Sequence, residues 1–233
     1  MLQEYKLEAY YVQTELATYL LASNDKMKEK GLASQSSISA LLRKRRQVYG
    51  FKARPVPEKV LTTVLEDAIH VPSAGFTQDF DLIVVKNAAT RKRLARAARE
   101  SEYLKLGMSK SNFISTAPVI VVPCANKKRY EEKYGTGEDS RRLPWWLIDA
   151  GFASLALILS AFEHGLAASF LGALADGQVA GILDLPEDHS VIPVAIIPMG
   201  YKNVEDKELW DERVKKVGRN RRRLDNIVHW DRW

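Results

Sequence analysis

The chain has 233 residues, of which 46% are hydrophobic and 27% charged, enough apolar material for one sizeable core, and its formal net charge is +6. The longest uncharged, mostly apolar run, residues 150–162, is shorter than the roughly 20 residues a membrane-spanning helix needs. One cysteine, Cys124, excludes an internal disulfide and a cysteine-based metal site, while the basic balance asks for an anionic partner: nucleic acid, acidic lipid or a phosphate-bearing cofactor.

In chain order, Tyr5, Ala9, Val12, Leu16, Tyr19 and Leu20 recur at helical spacing and predict an amphipathic helix ending near residues 23–25, followed by a polar loop over 24–36. The start has no basic stretch leading into an apolar core and a small-residue cleavage site, so the expected compartment is the reducing cytoplasm. A short helix through Ile38, Leu41 and Leu42 delivers a first basic group, Arg43 to Arg46. Val60, Leu61, Val64, Leu65, Ala68 and Ile69 draw one apolar face and predict a helix over 57–70, with Pro57 suited to its first turn and Pro72 unable to continue it. A strand in "FDLIVVKN", a basic surface helix over 90–100 and a buried strand in "TAPVIVVPC" follow. Residues 126–144 are charged, carry two glycines and predict a mobile excursion.

Residues 145–164 are apolar nearly all round and predict a buried helix stopped at Gly165. A short strand near 167–171, a helix near 178–183 and a third strong strand in "VIPVAIIPMG" complete the pattern. Helices and strands alternate without a regular βαβ rhythm, which predicts an α+β fold with a mixed central sheet.

Two features carry chemistry. "PSAG", residues 72–75, ends a helix with four residues that have almost no side chain. It fits a tight loop, and it equally fits a bend whose backbone comes close to a flat ligand, with the Gln78 amide nearby to donate and accept. The second feature is a pair of arginine groups far apart in the chain, "RKRR" at 43–46 and "RNRRR" at 219–223, whose guanidinium forks match a phosphate bidentately. The four histidines have no paired ligand spacing, so no metal is expected. Trp145 and Trp146 suit either an aromatic wall for a planar substrate or packing in a core or dimer. Cys124, in a buried strand, suits inert packing.

Taken together, "RRQVYGF", the helix that ends in "PSAGFTQ", "DAGFASLALILSAFEHGLAASFLG", "PVAIIPMGYK" and "RRRLDNIVHWDRW" resemble the FMN-dependent nitroreductase family over residues 43–233. The resemblance implies a mixed central sheet flanked by helices in a domain-swapped homodimer with FMN at the interface, residues 1–42 forming a helical extension for dimer contact. It places Arg45, Arg46 and Gln47, with Arg221 and Arg222, on the FMN phosphate. Pro72, Ser73, Ala74 and Gly75 would lie along the isoalloxazine ring, Gln78 at its pyrimidine end, and the Leu171-Gly172 turn would offer a backbone N–H at the N5 and O4 edge. It implies hydride transfer from NADH or NADPH to a nitroaromatic, quinone or other electron-poor acceptor, with no side chain required as catalyst. Phe76 stands where the family commonly has an Asn, and Asp79-Phe80 where Pro-Trp is frequent. These departures keep open same-fold chemistries such as flavin cleavage, dehalogenation or deazaflavin use. A basic nucleic-acid-binding protein is the rival from another class, without a recognised binding motif to support it.

Overall fold

The computed structural model describes residues 37–137, 143–172, 176–203, 211, 215 and 221–233. The predicted N-terminal helix, the loop at 24–36 and Arg219 lie outside them. The chain divides into two units, Met1–Leu41 and Leu42–Trp233. The boundary falls inside helix α1, Ile38–Lys44, which carries Arg43 and Lys44 in its last turn.

The second unit is α+β. Its elements are α2 (Glu58–Ile69), β1 (Phe80–Val85), α3 (Ala88–Ala97), α4 (Glu100–Lys105), β2 (Val119–Asn126), α5 (Lys127–Tyr134), α6 (Trp145–Glu163), β3 (Ala167–Ala168), α7 (Asp176–Ile182), β4 (Val191–Pro193) and β5 (Ile197–Gly200). The sheet runs β1-β2-β5-β3, with β4 also paired to β2. All four described pairings are antiparallel, so the parallel pairing that would make the sheet mixed is not found among the described residues.

Burial explains the arrangement. β2 is buried along nearly its whole length, as its continuous apolar run requires, because α2 and α6 cover one face while α3 lies over the other. Fully removing each such Val or Ile from water is worth about 1.5–3 kcal/mol, which makes β2 the spine of the unit. α2 turns Leu61, Val64 and Ala68 inward, the face its spacing predicted. α6 ends in a Schellman turn: Leu166 N donates to Ala161 O at 2.8 Å, Gly165 N to Phe162 O at 3.1 Å, and Gly165 takes φ +73°. By length and composition α6 would reach across a membrane, but here it buries Ala150, Ala153, Leu157 and Ala161 in the core.

Four local expectations need correction. Residues 127–134 form a helix rather than an excursion, because Asn126 Oδ1 caps it from Arg129 N at 2.9 Å and Lys127 pairs with Glu131 one turn on at 3.2 Å. The helix expected over 90–100 begins earlier and breaks at Arg99, φ +51°, into α3 and α4; it lies at the surface with Lys92, Arg93 and Arg96 exposed and turns Leu94, Ala95 and Ala97 into the core. "VIPVAIIPMG" is two strands. Against Cys124 and Val121 of β2, Pro193 and Ile197 enclose one residue more, and Val194 N turns to Pro123 O at 2.8 Å. The strand expected over 167–171 is two residues plus a single bridge, Leu171 to Ile196.

Candidate functional site

The predicted site residues fall into two sets on opposite edges of the sheet. The first set follows edge strand β3. Gln47 Nε2 donates to Phe170 O at 2.8 Å and Gln47 Oε1 accepts Phe170 N at 3.1 Å, so one amide clamps both sides of a peptide in the other segment. Next to it, Val48 N donates to Ser169 Oγ at 3.1 Å and the same hydroxyl donates to Val48 O. Two polar side chains thus join residues 47–48 to 169–170 where no strand ladder runs. Beyond the seam, Lys52 N donates to Tyr201 O at 2.8 Å and Asn203 N to Gly50 O at 3.1 Å, fixing the segment that carries Arg45.

Within this set Arg45 is half-buried, and its guanidinium is held below the usual arginine value, first by burial and then by the neighbouring charges of Arg46 and Arg221. The influence of Arg221 brings the two sequence-distant basic groups into one electrostatic neighbourhood. Arg46 turns its Nη1 onto Arg43 O and, at 2.8 Å, onto Arg45 O. Arg223 pairs with Asp225 at 3.0 Å, while Arg221 and Arg222 are exposed. Leu171 is buried, and its N–H is taken by Ile196 O at 3.1 Å; Gly172 follows it at the surface. Like charges gathered at a half-buried point repel unless an anion sits among them, so this set fits a phosphate.

The second set lies before edge strand β1. Residues 72–75 lead into a single turn of 3-10 helix, Ala74–Phe76, with Gly75 at φ +51°. Ser73 Oγ accepts Gln78 N at 2.9 Å, and Ala74 N donates to Asp149 Oδ2 of α6 at 2.7 Å. α5 covers this bend. Lys133 Nζ donates to Gly75 O, Arg129 reaches Gln78 O, Phe80 O and Asp81, and a Cβ on Gly75 would stand 1.9 Å from Tyr134 Oη. Gly75 is therefore required twice, for its backbone and for the space above it. Phe76, at φ +60°, is 76% exposed beside it. Trp146 packs on Tyr130 at 5.2 Å between ring centroids and Trp145 is partly exposed.

β1 and the segment after β3 are three strand steps apart, about 14 Å across the sheet. The arginine set and the bend are thus two half-sites at opposite edges of the sheet. Ser169, Asp149, Lys133 and Tyr134 belong to these surroundings and were not singled out from the sequence, and Asp79 was noted only as a departure from the family pattern. Asp149 had a visible signal, as the one charge between Trp145 and Phe162.

The α+β fold that carries these two half-sites has counterparts among known proteins. Residues 42–201 match the Nitroreductase family, and the chain belongs to that family, whose members are oxidoreductases. An NADH dehydrogenase of Thermus thermophilus is 26% identical over 174 residues, 68% of this chain and 83% of the relative. The fold is shared with an FMN-dependent nitroreductase from Clostridium difficile, with a TM-score of 0.60, 21% identity, and coverage of 84% of this chain and 100% of that one. It is shared too with an NADPH:FMN oxidoreductase from Vibrio harveyi complexed with NAD+, with a TM-score of 0.63, 19% identity, and coverage of 83% and 76%.

Proposed function

We propose that the protein is an FMN-dependent oxidoreductase that takes hydride from NADH or NADPH and passes reducing equivalents to a nitroaromatic, a quinone or another electron-poor small molecule. The observation that carries this reading is the half-buried Arg45 guanidinium, depressed by burial and by the charges of Arg46 and Arg221. A phosphomonoester among these groups turns their mutual repulsion into attraction. Bound FMN would supply the acceptance and release of hydride.

The chain's own residues then have limited tasks. Arg45 and Arg221 hold the phosphate, assisted by Arg46 and Arg222, while Gln47 fixes the Phe170 peptide that precedes the Leu171-Gly172 turn. With the Leu171 N–H given to Ile196, Gly172 supplies the N–H at the ring's N5 and O4 edge. Pro72, Ser73, Ala74 and Gly75 bring bare backbone along the ring, with Gln78 at its pyrimidine end. Because the two sets lie on opposite edges of one sheet, a complete site joins the arginine set of one copy to the bend of a second. That is the reason to read the working form as a homodimer with FMN at the interface, acting in the cytoplasm. The strongly exposed Phe76, where an amide would bond the ring, favours a second reading: the same fold with a different flavin chemistry, such as flavin cleavage, dehalogenation or deazaflavin use.

The test is an FMN titration of the full chain, with visible spectra before and after NADH or NADPH. Arg45→Gln or Arg221→Gln should weaken FMN binding by about 10- to 100-fold, the worth of a charge-assisted hydrogen bond, whereas Arg223→Gln, already paired with Asp225, should not. A wild-type chain that takes up no FMN refutes the proposal.

A further inference from the structure

Two acids beneath the bend have no role in gripping a phosphate. Asp79, just before β1, is 0% exposed and Asp149, in the second turn of α6, is 1% exposed. The residues next to them in the chain, Phe80 and Ala150, belong to an apolar cluster with Ala125, Ala153, Val71, Trp146 and Val194. Asp149 Oδ2 accepts the Ala74 N–H at 2.7 Å, yet neither carboxyl oxygen of Asp79 has a hydrogen-bond donor.

The titratable groups that face Asp79 are Asp149 from α6 and Tyr130 from α5. The Thr77 hydroxyl, from the bend itself, gives its proton to Ala74 O at 2.8 Å. The cations that α5 brings to this region, Arg129 and Lys133, are engaged by the carbonyls of Gln78, Phe80 and Gly75 and by Asp81. Among the described residues neither acid has an ion-pair partner. Two buried carboxylates set in one apolar cluster without a cation cannot both ionise cheaply; a proton shared between them removes the repulsion.

We infer that Asp79 and Asp149 form a buried acid pair sharing one proton, carried by Asp79 and donated to Asp149, and that the pair positions the bend through the Ala74 N–H. Burial first, then hydrogen bonding to and repulsion by Asp149, pushes Asp79 up to about 6. Its folded value is above the ordinary carboxylate value of 3.8, so the folded state keeps the proton longer than the unfolded chain does. Stability is therefore greatest at low pH within this window and falls as pH rises from about 4 through about 6. The functional consequence rests on the reading of residues 72–75 as a flavin seat: above about pH 6 the second negative charge disturbs the Asp149 grip on Ala74, and FMN binding weakens.

The experiment is difference infrared spectroscopy of the flavin-free full chain between about pH 5 and about pH 7.5. Apart from the carboxyls that finish ionising just above about pH 5, the wild type should show a C=O band of an un-ionised carboxylic acid that is lost at about pH 6 and is missing from Asp79→Asn. The Asn amide still donates to Asp149, so this variant keeps the seat without the titration. The wild-type thermal midpoint should fall by about 5 °C over the interval while that of Asp79→Asn stays level. If Asp79→Asn does not fold, Asp149→Asn, which removes the like charge but leaves an acceptor for Ala74, should move the titration of the band to lower pH.

A wild type without the band, a band that survives Asp79→Asn, or one unmoved by Asp149→Asn overturns the acid pair. FMN titrations of the same proteins separate the two ideas. Because the FMN phosphate itself ionises at about pH 6 in both proteins, the readout is the ratio: wild-type affinity relative to that of Asp79→Asn should drop about fivefold over the interval. A chain with the titrating band that takes up no FMN at either pH supports the acid pair and refutes the flavin reading.

Discussion

The seam between residues 47–48 and 169–170 sets up a comparison of two truncations. Ser169→Ala removes a fully buried hydroxyl that accepts from Val48 N at 3.1 Å and donates to Val48 O. Both backbone groups of Val48, itself buried, are then left without a partner, at about 1–3 kcal/mol for each unsatisfied group, or about 2–6 kcal/mol in total. Gln47→Ala removes two bonds to the Phe170 backbone, at 2.8 and 3.1 Å, but at a half-buried position where water replaces them. Its cost should be about 1 kcal/mol. Urea denaturation of both variants and the double variant measures the difference, and because the pairs are neighbours on one seam, the double variant should cost less than the sum. A Ser169→Ala cost equal to or below that of Gln47→Ala would refute the view that the buried hydroxyl, rather than the amide, holds the two segments together.

Gly75→Ala should cost about 1–2 kcal/mol from the positive φ alone, plus the displacement of Tyr134; pairing it with Tyr134→Ala should recover the second part and leave the first, as read by denaturant midpoints. Cys124 is fully buried and its thiol is pushed up to about 12, first by burial and then by the charge of Asp81, so a thiol reagent at neutral pH should label it only as fast as the chain unfolds; labelling of the native protein at the rate of a free thiol would contradict its placement in β2.

Much of the frame was legible because its signals are local. The apolar stripe from Val60 to Ile69 and the two prolines around it bounded α2 to within a residue, and the run from Val119 onward had no reading other than a buried strand. α5 escaped because its mean character is that of a loop: only Tyr130 faces inward, and an asparagine cap with one spaced ion pair does the rest. The split of "VIPVAIIPMG" depends on one extra residue opposite β2, which no property of that stretch reveals alone. In the site, the residue types that grip phosphate were conspicuous, while their supports were not. Ser169 is an ordinary serine until its hydroxyl is seen between the two groups of Val48. Asp79 and Asp149, 70 positions apart, share one apolar neighbourhood only because their chain neighbours Phe80 and Ala150 pack together.

The helix over Gly75 lies outside the sheet; Arg129 ties its first half to Gln78 and β1, while its last turn meets Gly75 through the ends of two long side chains, Lys133 and Tyr134. Substitutions at those tips leave the strand register untouched, so the cover over the bend can be altered without altering the sheet beneath it.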